Sequence, residues 1–182
     1  MRYKCAAMAA VLACGLVASG QETTGGKYVS KDGGYTVKFP AGLEVKTKNQ
    51  DAPGGLKMVM TGGESEKKAY MVMYMVMPEG MLKAVPAKAI LDGAANGAVS
   101  KSGGKEVSTK DLTVGKEMFP GREVVVDKDG NLVRTQIIIA DKVYVLVVGG
   151  PEEFAKGKAA NDFLKSFEIT PPAGKKTVSD KN

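Results

Sequence analysis

The sequence contains no histidine and no tryptophan, and its two cysteines, Cys5 and Cys14, both fall within residues 1–20. A chain that loses this stretch has neither an imidazole nor a thiol. That excludes Ser-His-Asp and Cys-His nucleophilic sites, zinc sites built on His or Cys, and any disulfide. Catalysis by carboxylates, Lys or Tyr stays formally open, but no spacing favours it. A strong charge imbalance is also missing. The 26 Lys plus Arg against 20 Asp plus Glu give +6, and removing Arg2 and Lys4 with the leader leaves 24 against 20. The lysines are scattered through turns and the C-terminal tail, without aromatic-basic interleaving, so no nucleic-acid face is expected.

What is present begins with a leader. Two positive charges within residues 1–4 precede a small-residue apolar run, 5–18, and Val17-Ala18-Ser19-Gly20 offers small residues for cleavage. This is the plan of a secretory signal over 1–20, too short to be a comfortable membrane span. The competing reading is a lipobox, Val11-Leu12-Ala13-Cys14, which would leave Cys14 lipidated. Either way the protein is expected outside the cytoplasm, periplasmic or extracellular, with no transmembrane span after signal removal.

Residues 21–26 read as a polar linker and 27–170 as one domain. Asp32-Gly33-Gly34 joins 27–31 and 35–39 as a hairpin, Pro40-Ala41-Gly42 turns into a strand at 43–48, and 49–55 reads as a loop. Strand 56–61 leads through a polar connection, 61–68, to residues 69–77. That stretch, Ala-Tyr-Met-Val-Met-Tyr-Met-Val-Met, is apolar on both faces. It therefore predicts a central strand covered on both sides. A helix is expected from Pro86 through Val99, with Gly93 and Gly97 placed for close approach to a sheet. Strands at 106–112, 122–127, 132–140 and 143–149 follow, the last three joined by turns at Asp129-Gly130 and Asp141-Lys142. A helix over about 156–166 ends the domain before Pro171-Pro172, and the polar tail 171–182 is expected to fray. The order of elements is α+β: a mostly antiparallel sheet sandwiched by helices. The paired glycines are turns, since none is followed by the Lys-Ser/Thr and helix of a P-loop.

Two clusters can carry chemistry. Met71, Met73, Met75 and Met77 share one face of their strand and would join Met58 and Met60 if the two strands are paired. Thioethers suit Cu(I). The competing reading is a core filler beneath the helix carrying Gly93, Ala94 and Gly97, with Met71 and Met77 about 20 Å apart along the strand, so that two or three sulfurs at most converge on one ion. The second cluster follows from the Asp129-Gly130 register, which sets Val125 opposite Arg134 and Glu123 opposite Gln136. Glu123, Asp127, Arg134 and Gln136 then share a face, with Arg134 diagonal to two carboxylates. This is either a small patch anchoring a carboxylate-bearing or peptide partner, or a solvated ion-pair network. The opposite face is expected to be the core, with Val124, Val126, Val133, Ile137, Ile139, Tyr144, Leu146 and Val148.

Four local patterns together, Tyr35-Thr36-Val37-Lys38-Phe39-Pro40, Ile90-Leu91-Asp92-Gly93-Ala94, Phe119-Pro120-Gly121-Arg122-Glu123 and Asn161-Asp162-Phe163-Leu164-Lys165-Ser166-Phe167, resemble exported bacterial proteins similar to the PsbP-like superfamily. That superfamily takes in photosystem II extrinsic subunits, DcrB-type lipoproteins and a nuclear Ran-binding protein. The resemblance spans about 28–169 and implies an α/β/α sandwich in an accessory or protein-binding role, with no catalytic residue to transfer. No manganese or calcium ligand set of the photosynthetic members is matched. The expected function is a non-catalytic extracytoplasmic module without a cofactor, its partner another protein or an envelope component; the alternative is Met-rich copper handling through Met71, Met73 and Met75.

Overall fold

The computed structural model describes residues 22–24, 26–52, 56–78 and 80–170. The leader with Cys14 and the tail 171–182 lie outside the described residues. In chain order the elements are β1 (Glu22–Thr24), β2 (Lys27–Ser30), β3 (Tyr35–Lys38), β4 (Lys46–Ala52), β5 (Leu56–Ser65), β6 (Lys68–Val76), α1 (Met81–Ala84), α2 (Ala87–Ser102), β7 (Lys105–Val114), β8 (Phe119–Lys128), β9 (Asn131–Ile139), β10 (Val143–Pro151), α3 (Glu152–Lys156), α4 (Lys158–Lys165) and β11 (Glu168–Ile169). Seven strands form an antiparallel sheet in the order β4-β5-β6-β10-β9-β8-β7, and four form a smaller one, β1-β2-β3-β11.

Helices lie against both faces of the large sheet. On one face Leu91 and Ala95 of α2 pack on Val124, Val126, Ile137, Ile139 and Val143. On the other, α4 and the small sheet enclose an aromatic core in which Tyr28, Tyr35, Tyr70, Tyr74 and Tyr144 meet Phe39, Phe163 and Phe167. The rings meet edge-on or tilted, as in Tyr70–Phe163 at 5.2 Å and Tyr35–Phe167 at 5.5 Å between centroids. Each fully buried side chain of this size contributes roughly 1.5–3 kcal/mol of transfer free energy.

Several elements differ from expectation. Glu22–Thr24, read as linker, adds antiparallel to β2. β4 runs on to Ala52 and β5 to Ser65, because backbone pairing with a neighbouring strand overrides the polar composition of 49–52 and 62–65. Residues 69–77 do form an interior strand, β6, but the middle of the sheet is β10. Pro86 caps α2 from outside rather than opening it. The last helix is two pieces: Gly157, extended at φ −73°, ψ 174°, separates α3 from α4.

Two further corrections concern packing. Gly93 and Gly97 approach nothing: a Cβ at either would have no neighbour within 4 Å. They sit on the outer side of α2. The β9–β10 connection is three residues long, Ala140 to Lys142, so Ile139 pairs with Val143 instead of Tyr144. A one-residue slip moves every side chain to the other face. Tyr144, Leu146 and Val148 therefore lie on the same face as Ile138, Glu123 and Arg134, in the aromatic core and not with Val124 and Ile137.

Candidate functional site

The Asp129-Gly130 turn has φ of 54° and 78° at its two central residues, the primed geometry that matches strand twist and that Gly accepts without strain. It sets Glu123 opposite Gln136 and Val125 opposite Arg134, the register expected from sequence. The cluster so formed is buried. Glu123 keeps only 4% of its side chain exposed and Arg134 13%. Arg134 Nη2 donates to Glu123 Oε2 at 3.0 Å, and Gln136 Nε2 donates to the same oxygen at 2.8 Å. Lys110 of β7 reaches Glu123 Oε1 at 3.0 Å. Asp127 is not part of this group: its Oδ1 accepts from the Gly130 amide at 2.9 Å and holds the turn.

Arg134 also faces away from the strands. Its Nη1 donates to Ala155 O and to Asn161 Oδ1, each at 2.8 Å, and Asn161 Nδ2 donates to Lys156 O at 3.1 Å. The helix break at Gly157 frees carbonyls at the end of α3, and these two side chains take them up. The cluster is a clamp that fixes α3 and α4 to the sheet, where a solvated network was one of the readings. Burial alone would raise the Glu123 carboxyl, but Gln136, Lys110 and Arg134 outweigh it and hold the group below its ordinary 4.5.

A second clamp went unnoticed in the sequence. Arg122, on the opposite face of β8, donates from Nε to Asp111 Oδ1 at 2.7 Å and from Nη1 to Asp92 Oδ1 of α2. Lys88 adds a 2.9 Å bond to Asp92 Oδ2. Asp111 and Asp92 hold the Arg122 guanidinium above its ordinary value, while Arg122 and then Lys88 hold Asp92 below. The signal was available: of three arginines in a chain with 23 lysines, the two beyond the leader are these. Arg is the residue suited to fixed, forked ion pairs at desolvated sites.

Among the described residues, no helix covers four of the strand methionines, Met58, Met60, Met71 and Met73. β5 and β6 pair so that Met58 faces Met75, Met60 faces Met73 and Gly62 faces Met71. Met75 and Met77 border the core beneath α2. Met58, Met60, Met71 and Met73 are half-buried and join none of the core clusters among the described residues. α2 packs mainly on β8 and β9, so only Met75 and Met77 share a core with its Ala94, and the other four do not lie under the helix as expected. The opposite side of the same strand, Tyr70, Val72 and Tyr74, is fully engaged in the aromatic core. What remains, uncovered by any described element, is a methionine-rich sheet face bordered by Val145 and Val147 of β10 and by Lys48 and Gln50 of β4.

Features of catalysis are thin among the described residues. A solvent-open groove at the end of α2 is lined by Gly103, Gly104, Lys105, Glu106, Asp127 and Lys128. Of its three carboxylates, Glu106 accepts from Thr109 Oγ1 at 2.8 Å and Asp127 from the Gly130 amide, and Asp129 is the first central residue of the turn. Burial first, then the nearby Asp141, pushes the Tyr144 hydroxyl well above the tyrosine range; its one proton is shared between Gly33 O at 2.9 Å and Asp141 Oδ1 at 3.0 Å. Among the described residues no helix is long and apolar enough to cross a membrane.

The fold is that of the PsbP-like α+β proteins, an antiparallel sheet with helices on both faces. The solution structure of cyanobacterial PsbP, CyanoP, from Synechocystis sp. PCC 6803 superposes with a TM-score of 0.53 at 12% identity, over 86% of this chain and 97% of that one. No protein-family model matches the sequence, and no curated protein is similar to it. The likeness is one of fold.

Proposed function

We propose that the protein is a non-catalytic accessory module that works outside the cytoplasm and holds another protein or an envelope component through the open face of β5 and β6. The observation that carries this reading is the row Met58, Met60, Met71 and Met73, uncovered among the described residues, on a sheet whose other face is sealed. Flexible, polarisable methionines on an exposed face adapt to a partner's shape. The two clusters with perturbed carboxylates are committed to holding helices, which leaves them no free role as acid and base. The PsbP-like fold and the leader-like 1–20 segment support the accessory, exported part of the reading.

The test places charge on the face. A Met60→Lys, Met73→Lys variant and a Val107→Lys control, the latter on the exposed bulge of β7, are expressed with the native leader and chemically cross-linked in intact cells. Loss of a cross-linked species in the first variant alone supports the proposal. A species that persists in both, or no species with the unaltered chain, overturns it. Fractionation with intact mass of the mature N-terminus reads the location, and shows whether Cys14 carries a lipid.

A further inference from the structure

We propose that Met58, Met60, Met73 and Met75 form a binding site for a soft monovalent metal ion, Cu(I) in the cell. The inference rests on the open face of the proposed function, at the edge where Met75 borders the α2 core, and names a ligand for it. Counting along one strand spreads the sulfurs out. The cross-strand register changes this, since Met58 faces Met75 and Met60 faces Met73. Directly opposed residues hold their Cβ atoms about 4.5–5.5 Å apart, and successive same-face residues on a strand are about 7 Å apart. Four thioethers therefore rise from the corners of a small rectangle, and three rotatable bonds in each side chain let the sulfurs turn toward its centre.

The surroundings suit that ion. Both strands are interior to the sheet, with β4 and β10 hydrogen-bonded on either side, so the platform is rigid while the side chains are mobile. Thioether sulfur is neutral and soft; it selects Cu(I) over hard divalent ions and needs no deprotonation. The chain has no histidine, and its only thiols are in residues 1–20, so the thioethers face little competition within the protein.

The full chain carrying Cys5→Ser and Cys14→Ser, which removes its two thiols, is titrated anaerobically with Cu(I) against a colorimetric Cu(I) chelator, and with Ag(I), a redox-inert probe, while the methionine methyl resonances are followed. One ion per chain is expected, with the methyls of Met58, Met60, Met73 and Met75 moving and that of Met118, exposed on a distant turn, unmoved. Met60→Leu, Met73→Leu keeps the apolar surface and removes two donors. It should weaken the metal by at least the roughly tenfold to hundredfold that lost outer-sphere partners cost, with the thermal midpoint little changed. A Met118→Leu control should bind as the unaltered chain does. Failure to compete with the chelator, or unchanged affinity in the Leu variant, overturns the site. Because Leu keeps the face apolar and Lys does not, the cross-linked partner survives the first pair of substitutions and is lost with the second, so the metal site and the partner surface fail independently.

Discussion

Replacing Arg134 with Met is the perturbation for which the structure sets both the size and the pH dependence. The side chains are similar in length, so the cavity is small, and the loss is electrostatic. Glu123, with 4% of its side chain exposed, would keep Gln136 and the half-solvated Lys110 and lose the guanidinium. Breaking a buried pair from one side costs about 3–5 kcal/mol. The lower end applies here because Lys110 still faces Glu123, giving an expected loss of about 3 kcal/mol at pH 7. The sign with pH follows from the depressed carboxyl. Glu123 contributes stability above the unfolded value near 4.5, and this is lost as pH falls through the folded value. The gap between Arg134→Met and the unaltered protein should therefore be widest above pH 5 and narrow toward pH 3. Adding Glu123→Gln removes the stranded charge and should recover part of the loss. Urea denaturation followed by far-UV circular dichroism across that pH range measures all of this. A loss below about 1 kcal/mol that does not vary with pH would refute the buried clamp.

The remaining predictions follow from equally local features. Gly93→Ala and Gly97→Ala should each stabilise the protein by up to about 1 kcal/mol in urea denaturation, since the added methyl meets nothing and α2 loses a flexible residue; a destabilised variant would mean that α2 packs differently. Arg122→Met should speed amide exchange in 87–102 and leave 152–165 protected, while Arg134→Met does the reverse, each arginine serving its own helix. Tyr35 and Tyr144 are held protonated, chiefly by burial, so folding stability should fall as pH rises above about 10, where the unfolded tyrosines ionise; absorbance at 295 nm should show these two titrating only as the protein unfolds.

How far the sequence could be read depended on whether the deciding physics was local. The β8–β9 register was legible because Asp129-Gly130 by itself specifies a primed turn. The face of β10 was not. Ala140-Asp141-Lys142 closes as three residues, with the Ala140 amide bonded to Lys142 O and Tyr144 Oη donating to Asp141, and nothing short of tertiary contact distinguishes this from a two-residue turn. The alternating Tyr, Val and Met of β6 correctly announced an interior strand with two apolar faces. Apolarity does not say what covers a face, and α2, free to lie anywhere on that side, settles over β8 and β9, where Arg122 meets Asp92. The methionines were thus recognised as a group, and the helix-covered environment expected for them holds for Met75 and Met77 alone. Glu123, Arg134 and Gln136 were found together from pairing alone; their burial depended on α3 and α4, whose break at Gly157 could be suspected but not oriented.

The account turns on whether Met58, Met60, Met71 and Met73 are an accessible surface or part of the core. Methyl spectra of the protein labelled with [13C]methyl-methionine, recorded with a soluble paramagnetic agent, answer this directly. The open face predicts broadening of these four methyls that is below that of Met118, which is 64% exposed, and above that of Met75 and Met77 beside the α2 core. Protection of Met58, Met60, Met71 and Met73 equal to that of Met75 would contradict it.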